Sequence, residues 1–169
     1  MNRLIDICEE YKLEIIADEI YANMSFSKPF TSLLALNRYK EHIHWLYGMS
    51  KDFGLAGWRT GFIHTYNENL SQVIKAVCFL HNASMLSNKF IEGMLKDFDF
   101  CRKIMKNSRE QLKEIFSMCK KKFATVDIKL TECAGGPFCL LSLRSYGVDT
   151  YDKEMAMTKE MIDNAKVYM

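Results

Sequence analysis

Leu46-Tyr47-Gly48-Met49-Ser50-Lys51-Asp52-Phe53-Gly54-Leu55-Ala56-Gly57-Trp58-Arg59-Thr60-Gly61 is the stretch on which the reading of this chain turns. Its apolar lead-in has the make-up of a buried strand and ends at Ser50-Lys51. Glycines at 54 and 57 then carry the backbone to Arg59, eight residues after the lysine, and Gly61 follows. A hydroxyl, an amine and a guanidinium gathered by a glycine-rich turn at a strand end form a layout suited to a reactive lysine beside a phosphate.

Working outward, residues 43–47 are expected as the strand that leads into this turn and Arg59 to Thr65 as the strand that leaves it. Upstream, Leu4, Ile5, Ile7, Cys8 and Tyr11 recur at helical spacing over residues 3–12, the pattern of a short amphipathic helix. Leu13-Glu14-Ile15-Ile16-Ala17 follows as a brief buried strand that stops at Asp18-Glu19. Helix then strand is the first sign of an α/β unit. Residues 22–32, with Asn, Ser and Pro29, read as irregular, and a short helix is expected over 32–38.

Downstream, Leu70, Val73, Ile74, Val77, Cys78 and Leu80 mark a helix from about 68 to 81. Residues 88–122 then hold a helical pattern interrupted only by Gly93, long enough for a strut between two domains, with a break expected near Asn107-Ser108. Strands are expected at Val126 to Leu130 and Phe138 to Leu143 around a Gly135-Gly136-Pro137 turn. A helix follows over Lys153 to Ala165, and Lys166 to Met169 reads as the start of another strand. The chain stops there with no cap or tail, which points to an internal fragment of a longer protein.

Composition narrows the function classes. The 169 residues are 49% apolar and 26% charged, which supplies both a core and a solvated surface and argues against disorder. A net charge of +2 gives no electrostatic footprint for nucleic acid or an anionic membrane, and Lys120-Lys121-Lys122 reads as a charged helix end. The six cysteines lack CxxC or metal-type spacing and read as reduced thiols, and the four histidines form no zinc pattern, so no metal is expected. With no signal-type leader and no membrane-length apolar run, a cytoplasmic location is the default. No GxxxxGK[ST] or GxGxxG string supports a nucleotide phosphate at the Ser50 and Arg59 pair.

The candidate chemistry gathers on five residues. An amine that condenses with an aldehyde must be neutral, and burial or neighbouring positive charge favours that form, which makes Lys51 the centre of interest. Ser50 and Arg59 can grip a phosphate. Asp18 ends a buried strand, where ligands collect in open α/β sheets, and a carboxylate there can pair with a protonated pyridine nitrogen. Tyr21, three residues on, can donate its phenol to a ring oxygen. Singly, each has a plain structural reading: a loop lysine, a turn cap, a core aromatic. The ordered set is more telling, with Asp18 and Tyr21 after one strand, Ser50-Lys51 after the next and Arg59 before a third.

Ala17-Asp18-Glu19-Ile20-Tyr21-Ala22, followed by Ser50 to Gly61, resembles the class I/II pyridoxal-phosphate-dependent aminotransferases, and within them the 1-aminocyclopropane-1-carboxylate synthase and synthase-like branch. Ala134-Gly135-Gly136-Pro137-Phe138 with Leu141 to Arg144 is similar to that family's small-domain hairpin. The resemblance implies an α/β, partial fold-type-I PLP-dependent transferase, with residues 1–87 a partial large PLP-binding domain, 88–122 a connecting helical segment and 123–169 a partial small domain. It implies pyridoxal 5'-phosphate as cofactor, Lys51 as the Schiff-base residue and α-carbon base, Asp18 at the pyridine nitrogen, Tyr21 at the ring hydroxyl, and Ser50 and Arg59 on the phosphate. It also implies an amino-acid substrate and, for the complete enzyme, a homodimer. The sequence departs from the family at Gly48, where many members carry a second phosphate-binding hydroxyl. The family's glycine-rich loop, ring-stacking aromatic, supporting asparagine and C-terminal carboxylate-binding arginine have no counterparts in this chain. A truncated or degenerate, inactive paralogue that acts as a binding module is therefore the alternative expectation.

Overall fold

In a computed structural model, which describes residues 1–167, the chain divides into two compact units. The first comprises Met1–Leu112 with Ala134–Gly136, and the second Lys113–Cys133 with Pro137–Met169. The first unit is built on a three-stranded sheet of β1 (Ile15–Asp18), β2 (Ile43–Gly48) and β3 (Gly61–Thr65), in that spatial order. β1 and β2 run parallel, with Ile15 opposite Ile43 and Asp18 opposite Leu46. β2 and β3 are antiparallel and close with Gly48 opposite Gly61.

Alternation along β1 explains the layering, because side chains two apart share a face. Ile15 and Ala17 are buried while Ile16 and Asp18 are exposed. On the buried side, Ile5 and Cys8 of α1 (Asn2–Glu10) pack with Ile15, Ala17, Leu33 and Ile43 into the core of this unit. Helical spacing puts Ile5 and Cys8 on one stripe of α1. The parallel step from β1 to β2 runs through residues 19–42 with short 3-10 turns at Ala22–Met24, Leu33–Leu36 and Lys40–His42. Buried Glu19 holds that crossover: its carboxylate accepts from Ser32 Oγ (3.1 Å), the Leu33 N–H (2.8 Å) and Trp45 Nε1 (2.9 Å). A buried carboxylate with three donors is satisfied, so Glu19 serves the fold.

At the opposite end of the sheet, Glu14 bridges His42 Nδ1 (2.8 Å) and His44 Nε2 (2.9 Å), and His44 Nδ1 meets Thr65 Oγ1 (2.8 Å). His44 lies inside β2, within the strand expected over residues 43–47. The hydrogen bond from His42, with a smaller one from His44, holds the Glu14 carboxyl below its ordinary value. Because the folded value is depressed, the contribution to stability is present above the usual carboxylate range and disappears as pH falls through the lowered value. Glu14→Gln is accordingly expected to cost under about 1 kcal/mol at neutral pH, given the exposure of the pair. Its urea midpoint should also fall less than that of the wild type as the pH drops from 6 to about 3, whereas parallel curves would contradict the assignment.

The remaining helices are α2 (Glu68–Leu80), α3 (Met85–Lys96), α4 (Phe98–Ala124) and α5 (Tyr151–Glu160). The helical tract breaks at Asp97, ten residues before the expected Asn107-Ser108. Asp97 leaves helical geometry (ψ 83°) and its Oδ1 accepts from the Phe100 N–H at 2.9 Å. A short carboxylate that caps the next helix competes with helix continuation, whereas Asn107 and Ser108 point along a helix already propagating.

In the second unit, β4 (Lys129–Leu130) pairs antiparallel with β5 (Leu141–Ser142), both shorter than their apolar runs. The end of α4 consumes Val126 to Ile128: the Val126 and Ile128 N–H groups bond to Phe123 O, and Asp127 turns left-handed at φ 52°. α5 continues into a π-helical turn at Met161–Ala165, and the Val167 N–H returns to Met161 O at 3.0 Å. Lys166 is left-handed, so the strand expected from it does not begin there, and its Tyr168-Met169 portion lies outside the described residues. Among the described residues no helix is long and apolar enough to cross a membrane, no disulfide forms, and no three His, Cys, Asp or Glu side chains gather as a metal-ligand set.

Candidate functional site

The turn between β2 and β3 is closed at its neck. Beyond the Gly48 and Gly61 pair, the Met49 N–H bonds to Thr60 O (3.2 Å) and the Leu55 N–H returns to Met49 O (3.1 Å). The ladder thus runs one step past the sheet, and Ser50 and Arg59 follow it on facing legs of the turn. Gly54 sits at φ 67°, a conformation that glycine adopts without cost. Arg59 is also left-handed, at φ 50°, which displaces it from the strand that its sequence position suggested; β3 starts at Gly61. A non-glycine residue held there is strained by about 1–2 kcal/mol. Trp58 anchors the turn by stacking on Phe90 of α3, with centroids 4.2 Å apart and planes within 8°.

The structure brings Lys51 to Tyr21: the amine lies over the phenol ring, 5.7 Å from its centroid. Lys51 is exposed and its amine makes no hydrogen bond or ion pair among the described residues, nor does the Ser50 hydroxyl bond to any of them. Arg59 directs one N–H to Ala56 O (3.3 Å). Asp18 ends β1 with Oδ1 accepting from the Ile20 N–H (3.3 Å), and lines a cavity of about 470 Å³ with Ile20, Leu46, Tyr47, Gly61, Phe62, Ile63, Ile74 and Cys78. Lys51, Tyr21, Ser50 and Arg59 are not among that lining. The carboxylate and the lysine turn therefore share the carboxyl end of β1 and β2 without sharing a cavity wall.

Three residues to which the sequence reading gave no role connect the two motifs. Asp52 is buried directly after Lys51, and its Oδ2 accepts from Tyr47 Oη (2.7 Å), Asn23 Nδ2 (2.9 Å) and the Asn23 N–H (3.0 Å). Asn23 Nδ2 also lies 3.1 Å from Tyr47 Oη. Burial, reinforced by the Asp52 carboxylate, pushes the Tyr47 hydroxyl well above its ordinary value, so it remains a donor. The one signal in the sequence is that Asp52 is the only carboxylate in the turn from Met49 to Thr60.

Gly135 secures the segment after Tyr21. It bridges to Ser25, the Phe26 and Ser27 N–H groups bond to Ala134 O (3.0 and 3.1 Å), and the Gly136 N–H bonds to Met24 O (3.1 Å). A Cβ at Gly135 would lie 2.6 Å from Ser25 Cα and 2.7 Å from Met24 O, both backbone atoms that cannot swing aside. Gly135→Ala is expected to part these segments and cost about 3 kcal/mol, the sum of three backbone hydrogen bonds. A urea midpoint within error of the wild type would refute that close approach.

The aminotransferase class I and II family profile matches residues 1–169, the whole chain. The chain belongs to aminotransferase class I and II. This is a family of pyridoxal-phosphate-dependent enzymes. Among curated relatives, the chain is 28% identical over 150 residues to 1-aminocyclopropane-1-carboxylate synthase 7 of Arabidopsis thaliana, covering 85% of this chain and 34% of the relative. It is 28% identical over 174 residues to synthase 2 of Cucurbita pepo, covering 99% and 35%. The chain thus spans about a third of the length of these relatives. Among solved structures, the aromatic aminotransferase of Pyrococcus horikoshii OT3 superposes with a TM-score of 0.84 at 17% identity, covering 99% of this chain and 44% of that one. The N-succinyldiaminopimelate aminotransferase of Mycobacterium tuberculosis gives 0.82 at 17%, covering 96% and 41%. The fold is that of part of a fold-type-I aminotransferase. The aminotransferase cofactor fits the donor set of this chain: a carboxylate for a pyridinium, an amine for an aldehyde, and a hydroxyl and a guanidinium for a phosphate.

Proposed function

We propose that this chain is the cofactor-anchoring part of a 1-aminocyclopropane-1-carboxylate-synthase-like enzyme that acts on an amino-acid substrate. The observation that carries the reading is the Lys51 amine, uncommitted to any hydrogen bond or ion pair among the described residues and poised over Tyr21 at 5.7 Å. Lys51 would hold the cofactor covalently at its aldehyde, with loss of water, and its amine would serve as the base for the proton at the substrate's α-carbon. When bound, pyridoxal phosphate supplies the electron sink for charge left at that carbon. Asp18 would keep the pyridine nitrogen protonated, Tyr21 would meet the ring hydroxyl with its phenol, and Ser50 and Arg59, on facing legs of the turn, would grip the phosphate. The strained φ of Arg59 supports that last role, since strain of this kind is kept where a side chain must be aimed.

Residues 1–87, 88–122 and 123–169 correspond in this reading to large-domain, connecting and small-domain portions. Assembly with a second copy in the complete enzyme is supported by the exposed apolar side chains Phe79, Leu80, Met85 and Leu86 where α2 gives way to α3. Gly48 favours the second reading, a binding module without activity. It removes one phosphate donor although a side chain would meet only ordinary contacts there, Ile20 Cδ1 at 3.5 Å being the nearest. Incubation of the purified protein with pyridoxal phosphate, borohydride reduction and peptide mapping separates the two. The enzyme reading expects reduced label concentrated on Lys51, whereas label spread evenly over the surface lysines would overturn it.

A further inference from the structure

Lys51 carries the proposed chemistry, yet no hydrogen bond or ion pair among the described residues fixes its amine: the residue is exposed, and the amine lies over the Tyr21 ring. Its place is inherited from the residues beside it. Asp52, 3% exposed, gathers donors from two other segments onto a single oxygen, Tyr47 from β2 and Asn23 from the turn two residues after Tyr21. Asn23 is gripped on both sides of its backbone, its N–H by Asp52 and its C=O by Arg109 Nη1 of α4 at 3.3 Å. The other oxygen, Asp52 Oδ1, is buried without a hydrogen-bond partner among the described residues. A buried acceptor left unpaired costs about 1–3 kcal/mol.

We propose that Asp52, with Asn23 and Tyr47, is a positioning group that clasps the Tyr21 segment to the lysine turn and thereby sets the amine of Lys51 over the Tyr21 ring. This rests on the reading of Lys51 as the cofactor-bonding residue. The clasp acts through short rigid links: Lys51 is joined to Asp52 by one peptide bond, and Tyr21 to Asn23 through one turn of 3-10 helix. A shift of about 1 Å between reacting groups is enough to cost a large factor in rate.

The test uses three variants, Tyr47→Phe, Asn23→Ala and the isosteric Asp52→Asn, each measured well below its melting temperature with the fold checked by circular dichroism. Amide hydrogen exchange on the protein without cofactor reads the clasp itself. Asn23→Ala should speed exchange across residues 49–55, and Asp52→Asn across residues 21–24, each in the segment that does not carry the change. Borohydride labelling with pyridoxal phosphate reads its consequence, as the ratio of label on Lys51 to label on exposed Lys75. That ratio is expected to fall about tenfold in each variant, the equivalent of losing one hydrogen bond to a carboxylate. Faster exchange with an unchanged ratio marks a purely structural network and overturns the proposal, as does unchanged exchange. Wild-type protein that labels Lys51 no better than Lys75 defeats the cofactor reading and this proposal with it. Preferential labelling that survives all three variants defeats this proposal alone.

Discussion

Lys51→Arg is expected to reduce covalent capture of pyridoxal phosphate at that position to background, with the fold unchanged. The substitution keeps the positive charge and an aliphatic stem, so any purely electrostatic attraction of a phosphate survives. It removes the one property that bond formation needs, because a guanidinium does not deprotonate under these conditions while an ammonium can. Lys51→Ala removes both charge and amine. Comparison of the two separates affinity from chemistry: non-covalent binding followed by fluorescence should persist in part in Lys51→Arg and weaken further in Lys51→Ala, while borohydride fixes label at position 51 in neither. Exposure of Lys51 makes the stability cost of either change small, within about 0.5 kcal/mol. Label that relocates undiminished to Lys28 or Lys75 would show that Lys51 holds no special place.

The second large effect belongs to the scaffold. Ile43→Ala is expected to lower unfolding stability by about 4 kcal/mol, through lost transfer energy and the cavity left behind. Ile43 is 0% exposed at the start of β2, opposite Ile15 and packed in the cluster that includes Ile5 and Leu33, so little can collapse into the space. For a chain of this size that corresponds to a fall in Tm of about 12 °C. Ile16→Ala is the control, since that side chain in β1 is 69% exposed and should shift the midpoint little. A loss as large at Ile16 as at Ile43 would mean that the exposed face of the sheet is covered in solution. Because β2 leads directly into Ser50-Lys51, Ile43→Ala should also weaken labelling of Lys51 at temperatures where part of the population is unfolded.

The elements legible in the sequence were those with a local cause. Helical spacing of Ile5 and Cys8, the short β-branched run at Ile15 to Ala17, the apolar run into Ser50-Lys51 and the periodicity of α2 each show within a few residues. The two motifs around Asp18 and Lys51 were legible for the same reason, as short strings at strand ends. Where the reading erred, two local signals competed. Asp97 broke the long helix because its carboxylate caps the next one, while Asn107-Ser108, an equally polar pair, did not. Val126 to Ile128 had strand composition, but closing the end of α4 claimed their backbone N–H groups first. Arg59 sat in an apparent strand and was found in a left-handed turn, because the neck of the loop is fixed by pairing at Gly48 and Gly61.

The sequence by itself determined the α/β class and the family, and it named the five residues proposed for the cofactor site, because each is written in contiguous or periodic residues. Tertiary structure alone decided what connects them. Asn23, Tyr47 and Asp52 meet on one carboxylate oxygen only after β1 and β2 have paired, and Gly135 meets Ser25 across 109 intervening positions of chain. Such contacts depend on the register of one strand against another and on the close approach of two backbones, and neither leaves a periodic trace in a single chain. The lysine is a fact of the sequence; its position over Tyr21 is a fact of the fold.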